Sequence, residues 1–425
     1  MAPFPKKNIW LIKVAEPTPL DGKDVRLFRV GLLAARLAER GHGVIWWHST
    51  VNHQKKMQRF SEHTTVVLND NLKIIFLHSI LYKKNAGLLR IFNQYGTARA
   101  FEQLAEQSIP PDIIVCCLPP LELCVRAVEY GKRHHIPVVL DVQDLWPDAF
   151  MKFAPSWLKA PWRLLLTLWF DAVKKACSNA TAIIGTTDAF VAWALNYACR
   201  KRTSYDRAFP FGYTETVPHK ASIEEAEQRW ASRGIGNDPG QFIACFFGIL
   251  GRHYELDVII EAARRLQHDN RLITFVLCGT GDNLEEYKRR AHDCRNIIFP
   301  GWVGEADIWT LLRKSSVGLA PYKKSFTLSR NLTNKPIEYM SAGLPIISSL
   351  EGVLEELLHT HKCGITYAHG DVDGLVTILR EVYDNRSVLH AMSENSYALF
   401  KQRYTAEKVY GEMCDYIESM CRDVS

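Results

Sequence analysis

A polar turn that runs into a short predicted helix, at residues 331–348, has the residue types best suited to chemistry in this chain. Its sequence is NLTNKPIEYMSAGLPIIS, and one acid, Glu338, lies inside the predicted helix. Free backbone N–H groups and the positive end of the dipole at a helix N-terminus favour phosphate. A carboxylate one turn further along can accept hydrogen bonds from a ribose diol. We therefore expect this stretch to hold a nucleotide diphosphate.

Two glycine-containing loops in the same half follow predicted strands and precede predicted helices. Gly279 and Gly281 form one loop, but any tight strand-to-helix turn favours glycine, and Leu284 stands where a full dinucleotide fingerprint needs a third. The other loop contains Gly248, which lets the backbone approach a ligand, and Arg252, which can pair bidentately with a diphosphate. The alternative for Arg252 is an exposed arginine at a helix entrance.

Acids cluster at the end of a predicted strand in the first half, Val138–Val142. Asp141 lies within this strand, and Asp144 and Asp148 follow it directly. Acids at the carboxyl end of a parallel strand point into the ligand crevice. The alternative is a structural role as a loop cap.

Strands and helices alternate in both halves, which is the arrangement needed to position these residues. Ile9–Val14 and Val44–Trp47 are predicted strands around a helix at Arg26–Arg40, and the pattern restarts at Phe242–Phe247. Such alternation predicts doubly wound parallel sheets of the α/β class. A chain of 425 residues is long enough for two domains of about 200 residues each. We predict Rossmann-like domains at 1–210 and 211–390 that face a central cleft, followed by terminal helices at 391–425.

The stretch at 331–348, with the glycine loops and the DLWPD sequence at 144–148, closely resembles glycosyltransferase family 4, the retaining GT-B enzymes, and in particular its bacterial surface-polysaccharide members. The resemblance implies transfer of a sugar from a nucleotide-diphosphate donor with retention of configuration, without a metal or other cofactor. It also implies that the terminal helix crosses back onto the first domain. The acceptor implied is a glycan, and a lipid-linked one in cell-surface polysaccharide synthesis is expected.

The resemblance assigns roles to individual residues. Glu338 would bind the ribose, and the diphosphate would be held by Arg252, Lys335 and the backbone amides of Leu332 and Thr333. The remaining donor contacts would come from Gly22, Gly248, Gly279, Gly281 and Val303.

The roles implied for the first domain concern the acceptor and the approach of the donor. Asp144 would position or deprotonate an acceptor hydroxyl, and Asp141 is the second candidate. Gly22, just after the first strand, would permit close approach of the donor phosphates. The alternative for Gly22 is an ordinary surface turn.

The chain departs from the family pattern at three positions. Arg330 stands eight residues before Glu338, where relatives have an acid that touches the donor sugar, and Ile249 and Tyr254 occupy the usual basic positions. The identity of the sugar is therefore open, as are the nucleobase and the acceptor. A sugar-nucleotide epimerase or hydrolase of the same fold, or a catalytically silent scaffold subunit, are the alternatives.

The charge is distributed unevenly along the chain. Residues 1–210 contain 28 Lys and Arg against 17 Asp and Glu, whereas the rest contains 24 against 29. This asymmetry suggests an anionic partner for the first half, for which we expect a membrane surface or a phosphorylated acceptor and not nucleic acid. The alternative is a solvated basic face.

The segment Ser156–Lys175 combines tryptophan and leucine with flanking basic residues. This composition is typical of an interfacial helix on anionic lipid, and a buried core helix is the alternative. No signal peptide, Cys-x-x-Cys pair or run of eighteen apolar residues occurs in the sequence. We therefore expect a cytoplasmic protein with reduced thiols, peripheral on the inner membrane face, of open oligomeric state.

Overall fold

The computed structural model describes residues 5–22, 25–85, 87–236, 238, 240–251 and 253–423. The chain forms two compact units, the first comprising Met1–Gly212 with Ala406–Ser425 and the second Tyr213–Thr405. The expected boundary at 390 lies inside a helix of the second unit, Arg386–Arg403. This helix buries Leu389, Leu399 and Phe400, so the segment 391–425 is divided between the two units.

The first unit contains an eight-stranded sheet in the order β10-β9-β8-β7-β1-β2-β6-β5, parallel except for β5. A two-stranded pair, β3 with β4, lies outside this sheet. The central strands are continuous apolar runs because helices cover both faces of a parallel sheet. The strands are β1 (Asn8–Ile12), β2 (Gly43–Ser49), β3 (Val51–Asn52), β4 (Met57–Gln58), β5 (Thr64–Asn69), β6 (Leu72–Leu77), β7 (Ile113–Leu118), β8 (Val138–Val142), β9 (Ala182–Gly185) and β10 (Arg207–Ala208).

The helices of the first unit pack on both faces of this sheet. They are α1 (Arg29–Glu39), α2 (Leu88–Ala105), α3 (Leu121–His134), α5 (Thr167–Asn179), α6 (Asp188–Ala198) and, after the second unit, α15 (Ala406–Asp423); α4 (Lys159–Leu165) does not take part in this packing. Val409, Met413, Ile417 and Met420 recur every three or four residues along α15, which puts them on one face. That face is buried in one core with Leu33 of α1 and the strands β1, β2 and β7.

The second unit contains a fully parallel six-stranded sheet in the order β13-β12-β11-β14-β15-β16. Its elements in chain order are α7 (Lys220–Ala231), β11 (Phe242–Phe247), α8 (Leu256–Leu266), β12 (Ile273–Cys278), α9 (Leu284–Arg290), β13 (Ile297–Gly301), α10 (Glu305–Lys314), β14 (Val317–Ala320), α11 (Asn334–Ser341), β15 (Ile346–Ser348), α12 (Val353–His361), β16 (Gly364–Thr366), α13 (Val372–Asp384) and α14 (Arg386–Arg403). The predicted α/β class with two doubly wound units is confirmed.

Each sheet has one point at which the strand order reverses direction. In the first unit, the strands after β1 are added on one side of it and the strands after β7 on the opposite side. In the second unit, the same reversal lies between β11 and β14. Ligands of open α/β sheets bind outside the carboxyl ends of the strands at such points. The loops after β1, β7, β11 and β14 are therefore the places to look for a site.

The predicted helix over 156–175 is interrupted. A short 3-10 turn at Ser156–Leu158 precedes α4, and Leu166 separates α4 from α5. No residue of α4 is buried, whereas α5 buries one face that includes Phe170 and Val173. The core-helix alternative therefore holds for α5 alone. None of the described helices is both long and apolar enough to cross a membrane.

Candidate nucleotide-sugar site

The reversal point of the second sheet brings together the loops that follow β11 and β14. Tyr254, after β11, forms an isolated antiparallel bridge with Tyr322, after β14, and their rings are 5.2 Å apart. The hydroxyl of Tyr322 lies 2.5 Å from Oγ1 of Thr333, the residue just before α11. The first turn of α11 is thus fixed directly beside the carboxyl end of β11. Tyr322 was not predicted from the sequence. Its position just after a strand is the only signal that could have indicated it.

The two glycine loops are in direct backbone contact. Gly248 donates to the carbonyl of Cys278 at 3.0 Å, and Leu250 donates to Thr280 at 2.9 Å. Gly279 has a φ of +141°, and a β-carbon there would lie 1.8 Å from the carbonyl oxygen of Gly248. Both the conformation and the contact require glycine. The loops at Gly248 and Gly279–Gly281 therefore form one continuous surface, the floor of the candidate site, at the edge of the sheet.

Lys335 lies in the first turn of α11 and reaches over this floor. Its side chain is largely buried, and Nζ donates to the carbonyl of Phe247. A β-carbon on Gly248 would lie 2.7 Å from Nζ, so any larger residue at that position would displace the ammonium. The rings of Phe246, Phe247 and Tyr254 lie 4.8, 4.9 and 5.4 Å from Nζ. Such ring faces stabilise a cation that has lost part of its water.

Burial lowers the pKa of Lys335 to about 8, against the opposing effect of the nearby Glu338 carboxylate. A buried ammonium with this pKa is charged at neutral pH and gains most from a bound anion, because an anion replaces the lost hydration. The backbone N–H groups of Leu332 and Thr333 donate to no acceptor within the described residues. They provide two further donors beside Lys335 at the N-terminal end of α11.

The remaining predicted donor residues lie in different settings. Glu338 is mostly buried on α11, one turn after Lys335. Val303 is half-buried after β13, next to Trp302, which is 76% exposed. Arg252 lies outside the described residues. The structure thus brings together Gly248, Gly279, Gly281, Leu332, Thr333, Lys335 and Glu338.

The three departures from the family pattern have clear structural settings. Ile249 is 75% exposed, whereas Tyr254 is half-buried and packs against Phe246, with 4.9 Å between the ring centroids. Arg330 packs over the ring of Phe326 at 4.0 Å and donates to its carbonyl at 3.0 Å. At the position of Tyr254, therefore, an aromatic ring that supports Lys335 replaces a second cation.

Asp141, a candidate from the first unit, forms a buried ion pair with Arg29. Two nitrogens of the guanidinium donate to the two carboxylate oxygens at 2.8 and 3.1 Å, and Gln143 adds a third hydrogen bond at 2.9 Å. Burial alone would raise the pKa of Asp141, but Arg29 and Gln143 outweigh it and hold the pKa below its usual value. Asp141 is 1% exposed, so it belongs to the packing of the first unit and not to a surface that a substrate reaches.

Asp144 is also engaged in hydrogen bonds. Its carboxylate accepts from the backbone N–H of Leu145 at 2.8 Å and from the indole of Trp146 at 3.0 Å. Burial raises its pKa, which these hydrogen bonds only partly offset. This geometry matches the loop-cap alternative and fixes the indole of Trp146. A role of Asp144 toward an acceptor stays a prediction.

Gly22 follows a turn that is fixed by Asp21. Arg59 donates to both oxygens of Asp21 at 2.8 and 2.7 Å, and Asn52 donates at 2.8 Å. A β-carbon on Gly22 would meet nothing within 4 Å, so no neighbour in the described structure restricts its approach to a ligand. Its role toward the donor stays a prediction. No group of three or more His, Cys, Asp or Glu that could hold a metal ion occurs among the described residues.

Residues 228–399 match the family model for glycosyl transferases group 1, which covers most of the second unit. Sucrose-phosphate synthase from Thermosynechococcus elongatus aligns over 98% of this chain and 99% of its own, with a TM-score of 0.71 and 13% identity. The fold is GT-B. Anabaena HepE in complex with UDP and glucose aligns over 97% of this chain and 100% of its own, with a TM-score of 0.63 and 13% identity. A comparison with curated proteins finds no match.

A third GT-B structure is WaaG, a glycosyltransferase involved in lipopolysaccharide biosynthesis. It aligns over 96% of this chain and 99% of its own, with a TM-score of 0.64 and 15% identity. Identities of this size establish the fold alone. Together with the family match in the second unit, they support a glycosyltransferase of GT-B type.

Proposed function

We propose that this protein is a retaining glycosyltransferase similar to family 4, which takes a sugar from a nucleotide-diphosphate donor. The observation that carries the proposal is the ammonium of Lys335, buried beside Gly248 at the reversal point of the second sheet. A donor of this class also fits the relatives, because Anabaena HepE binds UDP and UDP-glucose.

The donor would lie along the N-terminal end of α11. Lys335 and the free N–H groups of Leu332 and Thr333 would bind the diphosphate, and Glu338 would accept hydrogen bonds from the ribose. Arg252 would add a second positive charge. As the bond to the sugar breaks, negative charge grows on the leaving diphosphate, and groups already fixed in place stabilise it without rearrangement. No metal is needed for this role.

We propose a lipid-linked glycan as the acceptor, in the synthesis of a cell-surface polysaccharide. The support comes from an exposed apolar patch on the first unit, defined by Leu88 and Phe92 of α2 and by Trp157, Leu164 and Leu168 around α4 and α5. These side chains are 61–80% exposed. Arg90 lies 5.1 Å over the ring of Trp146, which in turn lies 6.2 Å from Trp169 of α5, so the two parts of the patch are neighbours.

The charges around this patch have one sign. Residues 71–101 and 149–170 contain no Asp or Glu, but eight Lys and Arg. Exposed Trp, Phe and Leu among basic residues are the composition of a surface that enters the headgroup region of an anionic bilayer. The patch therefore supports peripheral binding to the inner membrane face, where a lipid-linked acceptor is found.

Two measurements test the proposed activity. A thermal-shift screen of UDP, GDP, dTDP and their sugars should raise the melting temperature with one base, and Lys335→Met should abolish the shift. Lys220→Met is the matched control, because Lys220 has a 91% exposed side chain at the start of α7. If both variants respond like the unmodified protein, the donor site is assigned wrongly.

Incubation with the donor alone separates the transferase from an epimerase or hydrolase of the same fold. A transferase leaves the donor largely intact without an acceptor, whereas an epimerase changes the sugar and a hydrolase releases it. The replacement of an acid by Arg330 favours the scaffold alternative, and a chain that no nucleotide stabilises would support it.

A further inference from the structure

A cluster of basic side chains in the first unit has no part in the donor site. It consists of Lys13, His53, Lys56 and Arg90, and we call it the basic cluster. Lys13 directly follows β1, at the reversal point of the first sheet, and the turn between β3 and β4 carries His53 and Lys56. Ligands of this fold class bind at that edge of the sheet.

A chain of close contacts joins three members of the cluster. The imidazole Nδ1 of His53 lies 2.5 Å from the hydroxyl of Tyr82 and 3.4 Å from Nζ of Lys56. Lys56 donates to the side-chain oxygen of Asn85 and lies 5.1 Å over the ring of Tyr82. Arg90 donates to the carbonyl of Asn85 at 2.6 Å. Three basic groups thus surround one asparagine and one tyrosine.

No carboxylate within the described residues forms an ion pair with any member of the basic cluster. The acids nearest to Arg90 are used elsewhere, since Asp144 accepts from Trp146 and Glu122 accepts from Trp169 at 3.1 Å. Lys13 is 8% exposed and forms no ion pair with the described residues, but its charge interacts with the buried carboxylates of Glu16, Asp141 and Asp144. The basic groups of His53, Lys56 and Arg90 have no carboxylate of the described residues in direct contact, which favours a ligand of opposite charge beside them.

The members of the cluster also disfavour each other's charge. Burial and, after it, the charges on Lys56, Arg90 and Lys13 together lower the pKa of His53 to about 4. Burial and the charge on Arg90 lower the pKa of Lys56. An anion placed among these groups would relieve both the repulsion and the lost hydration.

We propose that the basic cluster binds a phosphate group of the acceptor. Arg90 also packs over Trp146, beside the apolar patch of Leu88, Phe92 and Trp157, so a phosphate in the cluster would lie next to a surface suited to a lipid chain. The phosphate would be a mono- or diphosphate ester carried either by a lipid or by a water-soluble sugar. That this ligand is the acceptor rests on the proposed transferase function, whereas the phosphate site itself does not.

The test titrates inorganic pyrophosphate into the intact protein and follows the imidazole signals by NMR. The pKa of His53 should rise by about one unit when the anion binds. His48 is the internal control, because burial also lowers its pKa to about 4 but it lies outside the cluster and bonds to the backbone of Ser49 and Glu16. No change at His53, or an equal change at His48, overturns the proposal.

Lys56→Met and Lys55→Met are a matched pair of variants. Lys55 precedes Lys56 but donates to the backbone of Asp21 at 3.0 Å, away from the cluster. We expect Lys56→Met to weaken pyrophosphate binding at His53 about tenfold and Lys55→Met to leave it unchanged. Equal effects of the two variants contradict the site. Melting curves of both variants check that each is folded before binding is compared.

Two further arms identify the source of the phosphate and separate this proposal from the proposed function. If dioctanoyl phosphatidic acid binds about tenfold more tightly than inorganic phosphate, the ligand of the basic cluster is carried by a lipid. If the two bind with equal affinity, the ligand is a water-soluble phosphate ester. If no nucleotide sugar binds at Lys335 while His53 still responds, the transferase function fails and the phosphate site stands. If a nucleotide sugar binds at Lys335 and His53 does not respond, the phosphate site is wrong and the transferase function stands.

Discussion

The carbonyl oxygen of Gly248 lies 1.8 Å from the point that a β-carbon on Gly279 would occupy. The loops after β11 and β12 therefore meet backbone to backbone, with no space for a side chain between them. A β-carbon on Gly248 would also come within 2.7 Å of the ammonium of Lys335. Both glycines thus determine where the ammonium can lie.

Gly279→Ala should displace this floor and the ammonium above it. The added methyl group collides with backbone, and the φ of +141° is one that alanine rarely adopts, so we expect a loss of about 2 kcal/mol or more in the free energy of unfolding. Nucleotide-sugar binding should also weaken about tenfold. Gly236→Ala is the control, since a β-carbon there meets nothing within 4 Å. Denaturant unfolding and calorimetric titration measure both quantities; equal behaviour of the two variants would contradict the contact.

The affinity for a nucleoside diphosphate should depend on the protonation of Lys335. Its pKa of about 8 is below the ordinary value of 10.5, so the group is charged below pH 8 and loses its charge as the pH rises through 8. We therefore expect affinity to be constant near neutral pH and to fall about tenfold by about pH 9. In Lys335→Met, binding should be weak and should not change over this range. Calorimetric titration at several pH values measures the affinity. If the affinity of the variant also decreases with pH, the decrease comes from a group other than Lys335.

Asp141→Asn should destabilise the first unit strongly. The change leaves the buried guanidinium of Arg29 without its counter-charge, which costs about 3–5 kcal/mol. Glu39→Gln is the matched control, because Glu39 pairs with Arg36 on an exposed part of α1 and such pairs contribute about 1 kcal/mol or less. Urea unfolding of the two variants should differ clearly in midpoint.

The same ion pair predicts a dependence of stability on pH. The pKa of Asp141 in the folded protein is below its ordinary value of 3.8, so the stabilisation is present above that value and is lost as the pH falls below it. Asp141→Asn should remove this part of the acid sensitivity. An unchanged acid-unfolding curve in the variant would show that Asp141 contributes nothing to it.

Leu164→Glu and Leu168→Glu together should prevent binding to anionic membranes. Both side chains are more than 70% exposed in the apolar patch, so the change adds negative charge without disturbing a core. Ile109→Glu is the control, because Ile109 is 74% exposed on the same unit but outside the patch. In flotation with phosphatidylserine vesicles at low salt, the control should rise with the vesicles and the double variant should stay in the bottom fraction. Flotation of both would exclude the patch as the membrane contact.

The sequence was sufficient for the parts of the fold that rest on local patterns. Apolar strands and helices with a buried face recur at short range, so the two doubly wound units follow from them. The first residue of α2 could not be predicted from these local patterns. α2 begins at Leu88, and its first turns expose Leu88, Leu89 and Phe92, although their three- and four-residue spacing is that of a face packed on a core.

The candidate site was predictable in its residue types but not in its contacts. Glycine, lysine and acid at fixed positions after strands indicated a diphosphate site. The three aromatic rings around Lys335 come from β11 and the loop that follows it, far from Lys335 along the chain, and Arg29 is 112 residues from Asp141. Pairings of this kind depend on the tertiary structure, which is also why Asp141 was expected at a ligand and lies in a core.

The return of α15 to the first unit determines the order in which that unit can fold during synthesis. Its core includes Met413, Ile417 and Met420, which the ribosome adds only after all of the second unit. Tyr213 donates to the carbonyl of Tyr404 at 2.9 Å, so the two ends of the second unit are joined as neighbouring segments. The second unit can thus close while the nascent first unit still exposes the surface that α15 will cover. Chaperone binding during translation should therefore concentrate on α1 and persist until the last helix emerges.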